Sequence, residues 1–182
     1  MNVAAALLAL ALQDAPVFKH ENSEANLKQL FEQIHKAHAA GDDKAALALS
    51  IPLIPDAAAL KKGMKEGSSP EQIAQAVDLY AKLIPADEAK RARLFKADPA
   101  NTEVRVYAAT TEEIFKYEKG SVAFAQFPGG AQKLADGILR PGTTYYEVVL
   151  AKPGNESGMK FHLFFWTGER WSMLGPLWRA FK

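Results

Sequence analysis

The chain has 182 residues, 48% of them hydrophobic and 24% charged, which fits one globular domain with at most an N-terminal appendage and excludes the disordered class. A formal net charge of +1, with no Lys/Arg block longer than a pair, argues against a nucleic-acid partner. The absence of cysteine excludes disulfides, thiolate metal sites, cysteine nucleophiles and lipid attachment to cysteine.

Residues 3–12 are an unbroken run of Val, Ala and Leu, followed by Gln13, Asp14 and Pro16. Ten apolar residues are too few to span a bilayer, which takes about 20. The run matches the apolar region of a secretory signal, with Ala9-Leu10-Ala11 as a small-x-small cleavage site. No Lys or Arg precedes it, so an N-terminal apolar helix packed on the domain stays open as the alternative. Residues 1–16 are therefore set apart from a single α+β domain over residues 22–182, exported to the periplasm or secreted if the run is a signal.

Asn22 or Ser23 can cap a helix from Glu24 to Ala40, since a short polar side chain accepts the free amide hydrogens of the first turn. Leu27, Leu30, Phe31, Ile34 and Ala37 form its apolar stripe, and Gly41 ends it. Asp42 and Asp43 start a short alanine-rich helix to Ser50, broken by Pro52 and Pro55. Asp56 caps a turn through Lys62. Ser69-Pro70-Glu71-Gln72 is the clearest start signal, with a cap, a proline at the first helical position and a capping-box Gln72. That helix runs to Ile84, with Ile73, Val77, Tyr80 and Ile84 inward, and Pro85 stops it. Residues 87–97 are expected to be helical, a solvated helix with paired charges.

From Asn101 the period changes from helical to alternating. Thr102 to Ala108 reads as a strand, with Val104, Val106 and Ala108 on one side and Arg105 and Tyr107 on the other. Thr110 or Thr111 caps a short helix to Tyr117, and Phe124 through Gly130 leads into another that ends before Pro141. Three strands follow, Thr143–Lys152, Met159–Thr167 and Arg170–Trp178, separated by Pro153-Gly154-Asn155 and by Gly168-Glu169. A two-residue turn at Gly168-Glu169 sets Trp166 across from Trp171. Uninterrupted alternation puts Tyr146, Val148 and Leu150 on the core face with Phe161, Leu163 and Phe165, because a one-residue slip would push Glu147 into the core. The other face would then present Tyr145, Glu147, His162, Phe164, Trp166, Trp171 and Met173. Three readings of that face stay open: a second half of the core under residues 115–139, a ligand cleft, or a homodimer or partner interface.

Helices first, then one strand, a helical excursion and a meander of three strands make an α+β chain with a mostly antiparallel four-stranded sheet. This order, from about residue 24 to the C-terminus, resembles the cone-shaped nuclear-transport-factor-2-like superfamily, with the cystatin-like fold as the alternative. The stretch that carries the likeness is Phe161-His162-Leu163-Phe164-Phe165-Trp166, then Gly168-Glu169-Arg170-Trp171 and Leu174-Gly175-Pro176. The resemblance implies binding and dimerisation modules, secreted proteins, and enzymes such as ketosteroid isomerases and small dehydratases that use a carboxylate or histidine in the cone. It carries over no catalytic residue, because no motif of those enzymes aligns with this chain.

The candidate site residues are Arg105, Tyr107, Tyr145, Glu147, His162, Trp166 and Trp171. Glu147 and His162 on adjacent strands would make an acid/base pair if buried together, or a plain polar pair, or Glu147 would bridge to Arg105. Trp166 and Trp171 could stack a flat ligand or fill a core. His35-x-x-His38 with Glu32 is read as a partly solvated helix face and not as a metal site. No cofactor is implied. The leading expectation is a non-enzymatic binding or dimerisation module that uses the aromatic face, its partner a second copy or a small apolar or peptide ligand. The alternative is a small isomerase or hydrolase working through His162 and Glu147.

Overall fold

The computed structural model describes residues 18–181; the expected signal or N-terminal helix lies outside them. Each expected cap is made. Ser23 accepts from the Asn26 amide at the start of α1 (Glu24–Ala39), whose stripe Leu27, Leu30, Phe31, Ile34 and Ala37 is buried. Asp42 and Asp56 cap α2 (Asp43–Ser50) and α3 (Ala57–Gly63) in the same way, with a 3₁₀ turn at Ile51–Leu53 between them. The full capping box opens α4 (Pro70–Leu83). There Ile73, Ala76 and Tyr80 point inward, and Val77, expected inside, is 40% exposed because it falls on the far edge of that stripe.

The expected helix over 87–97 shrinks to one turn, α5 (Glu88–Arg91). Beyond it the backbone tightens into i→i−3 bonds, and Ala92, Phe95 and Ala97 turn into the core. Phe95 packs edge-on against Phe31 and Phe161 with ring centroids 5.5 and 5.3 Å away. Burial of that ring decides the local backbone over the helix propensity of the charged residues.

β1 (Glu103–Thr110) leads directly into α6 (Thr111–Lys116), for which Thr110 and Glu113 form a second capping box. α7 (Val122–Gln126) and α8 (Gly129–Ala135) complete the excursion, and the meander follows as β2 (Thr144–Ala151), β3 (Gly158–Trp166) and β4 (Trp171–Met173). The last strand is three residues long, not the nine expected. Gly175 takes a left-handed φ of 42° and Pro176 has no amide to donate, so the chain leaves the sheet and ends in a 3₁₀ turn at Leu177–Arg179. The fold is α+β, with one open antiparallel sheet in the order β1-β2-β3-β4.

Helices cover both faces of this sheet. On one face α1, Leu53 and Phe95 pack against Val104, Tyr146, Val148, Leu150, Phe164 and Trp171. On the other, α3, α4 and the segment α6–α8 pack against Ala109, Tyr145, Leu163 and Phe165. β2 is accordingly buried from Tyr145 through Ala151. Of the three readings of the second face, the structure shows the first: both faces are core, and Phe127, Ala131 and Leu134 of the 115–139 segment are the cover on the second side.

The unbroken alternation assumed for β3 fails at one point. Val148 pairs with Phe161 and Tyr146 with Phe164, so two residues, His162 and Leu163, oppose the single residue Glu147. This β-bulge reverses the parity of everything after it. Phe161 stays with Tyr146, Val148 and Leu150, whereas Leu163 and Phe165 go to the opposite core. Leu163 sits at φ 56°, a left-handed conformation that costs an L-residue roughly 1–2 kcal/mol. The hairpin beyond is as expected: Trp166 pairs with Trp171, their rings edge-to-face at 5.5 Å.

Candidate functional site

The bulge leaves the Leu163 amide pointing away from the regular ladder, and Glu147 supplies its acceptor: Leu163 N donates to Glu147 Oε1 at 3.2 Å. The second carboxylate oxygen, Oε2, lies 2.5 Å from His162 Nδ1. One buried side chain thus satisfies the irregular backbone and holds an imidazole. Glu147 has no exposed surface, while the His162 side chain is 26% exposed. Burial pushes the Glu147 carboxyl above its ordinary range, and His162, the Leu163 amide and Lys160 pull it back in part. A raised folded-state value means the proton is held more tightly in the folded protein. The stability this gives is complete below the ordinary carboxylate range and is lost as pH rises through the raised value.

Around the pair stand residues from five elements. Tyr107 on β1 pairs with Glu147 across the ladder and is half-buried. Lys160, two residues before His162, donates from Nζ to the Gln126 carbonyl (3.3 Å) and to Gln126 Oε1 (3.1 Å), tying β3 to the end of α7. The indole of Trp178 meets His162 edge-on at 5.6 Å. Gly130 makes room for that indole: a Cβ there would lie 2.5 Å from Trp178 Cγ. With Nδ1 committed to the carboxylate, Nε2 is the ring nitrogen left for proton transfer, and Glu147 fixes which tautomer is held.

Of the seven expected site residues, the structure brings three together: Tyr107, Glu147 and His162. Arg105 lies on the same face but turns to the Asn155 carbonyl and to Glu103 at 3.5 Å, where it braces the β2–β3 turn and not the acid. Tyr145 is a core anchor whose hydroxyl donates to the Gly63 carbonyl, its ionisation pushed upward by burial. Trp166 and Trp171 are on the opposite side of the sheet from Glu147, separated from it by the bulge. Trp171 is fully buried and donates from Nε1 to Asn26 Oδ1 at 2.9 Å; Trp166 is half-buried beside a cleft of about 240 Å³ with Asn22, Thr144 and Tyr146. A contiguous aromatic binding face is therefore absent among the described residues, since Tyr145, Phe164 and Trp171 are core. Within the pair the acid is beneath, and only the imidazole reaches solvent.

Residues not singled out from the sequence complete the picture. Asn26 is buried in the α1 stripe one position before Leu27, and it links the Lys19 carbonyl, the Glu21 amide and Trp171. A polar residue within an apolar stripe was the signal for it. Lys160, Gln126, Gly130 and Trp178 converge only through the tertiary fold. His38 has both ring nitrogens buried without a partner, and burial pushes its pKa down; among the described residues no group of three or more His, Asp or Glu is placed to hold a metal. No described helix is long and apolar enough to cross a membrane. No protein-family model, curated protein or solved structure matches the chain.

Proposed function

We propose that the domain is a small acid–base enzyme of hydrolase or isomerase type, with His162 as the group that takes and returns the proton. The observation that carries this is the Glu147–His162 pair: a carboxylate with no exposed surface, 2.5 Å from Nδ1 of an imidazole that is itself 26% exposed. A carboxylate in that position holds the ring in one tautomer and stabilises the imidazolium that forms when Nε2 accepts a proton. The left-handed Leu163 supports the same reading, because strained backbone persists only where its surroundings over-determine it, and such positions cluster at functional sites. Substrate would approach past the half-buried Trp178, and Glu147 acts as a positioning residue behind the imidazole.

Hydrolysis of 4-nitrophenyl acetate by the full chain provides the test. His162→Gln is expected to lower kcat by about 10²–10⁴-fold, the usual contribution of general acid–base catalysis. His38→Gln, which alters a half-buried histidine remote in sequence from the sheet, is expected to leave it unchanged. Equal rates in wild type and His162→Gln would refute the assignment.

A further inference from the structure

A second site, independent of the histidine pair, lies where α4 runs past the loop before α3. Ile54, Pro55, Val77, Ile84, Pro85 and Arg91 line a cleft there of about 410 Å³, within the usual size of small-ligand sites. Its walls are apolar except at Asp56, Tyr80 and Arg91. Asp56 on the rim is already engaged, accepting from the Ala59 amide and paired with Arg170 at 3.1 Å. Tyr80 points its hydroxyl away, to the Leu174 carbonyl.

Arg91 is the exception. Its Nε is cut off from solvent with no acceptor, and among the described residues none of its guanidinium nitrogens has a hydrogen-bond or ion-pair partner. Arg140 also has a buried Nε without an acceptor, but it donates from another nitrogen to the Lys61 carbonyl, and Arg105 pairs its Nε with Glu103 at 3.5 Å and donates from another nitrogen to the Asn155 carbonyl. That Nε lies too deep for a ligand to reach, but the terminal guanidinium nitrogens are not enclosed, and an anionic oxygen brought into the cleft would pair with them. The adjoining wall offers only apolar contact, with Val77 40% exposed.

We infer that this cleft binds a small amphipathic anion, a free carboxylate with an apolar tail. The carboxylate pairs with Arg91, and the tail lies along Val77 and Ile84 between Ile54 and Pro85. The binding contributes nothing to proton transfer at His162.

Octanoate below its micelle-forming concentration, titrated into the isotope-labelled full chain and followed by backbone amide shifts, tests this, with octan-1-ol as the uncharged probe. The expected result is saturable shifts at Val77, Ile84 and Arg91, with octanoate binding weakened on the order of tenfold or more by Arg91→Gln and octanol binding unaffected by it. Val77→Glu, at an already exposed position, is expected to abolish both. Four results would overturn the inference: no shifts at these residues, octanoate affinity unchanged in Arg91→Gln, binding to anionic vesicles in place of free octanoate, or concentration-dependent self-association that Val77→Glu removes.

Discussion

Glu147 holds two groups at once, and the two can be separated by substitution. Glutamine keeps an oxygen for the Leu163 amide but removes the charge that faces His162. Leucine removes both. An amide left buried without an acceptor costs about 1–3 kcal/mol, so Glu147→Leu is expected to be less stable than Glu147→Gln by that amount in urea unfolding. Equal stabilities would mean the Leu163 amide finds another acceptor. The pH dependence has a definite sign as well. Burial raises the Glu147 pKa, so the advantage of wild type over Glu147→Gln is expected to be greatest in acid and to shrink as pH rises past the ordinary carboxylate range. A difference in melting temperature that grows with pH would contradict the assigned cause.

Between elements, the decisive feature is the bulge in β3. Much of the secondary structure was legible because its signals are local: Ser23, Asp56, Ser69 and Thr110 announce their helices, and Gly168-Glu169 fixes the pairing of Trp166 with Trp171. The bulge was not. Phe161 to Trp166 is apolar on both sides apart from His162, so alternation gives no sign of where parity changes, and Leu163 carries none of the Gly or Asn signature of a left-handed residue. The pairing of Glu147 with His162 was legible because both stand near the middle of neighbouring strands; the burial of one and exposure of the other was not, since it depends on α7, α8 and the C-terminal turn. That turn offers its own test. Gly130→Ala would drive a methyl group to within 2.5 Å of the Trp178 ring, so it is expected to shift Trp178 fluorescence and to cost about 1–3 kcal/mol. An unchanged emission spectrum would show that the indole is not held against α8.

At the scale of the whole molecule, the sheet separates two cores, and one strand, β2, contributes to both. Among the described residues Glu147 is the only buried carboxylate; every other Asp and Glu reaches solvent to some degree. A fold that stabilises itself by apolar burial gains little from an acid in such a place, because desolvating a charge offsets most of what its pairing returns. The position makes sense as the support of the imidazole beside it. Long-range ¹H–¹⁵N spectra of the His162 ring at neutral pH test that directly. The expected result is a proton on Nδ1 and a lone pair on Nε2, with the preference lost in Glu147→Gln; a proton on Nε2, or an identical pattern in the variant, would contradict it.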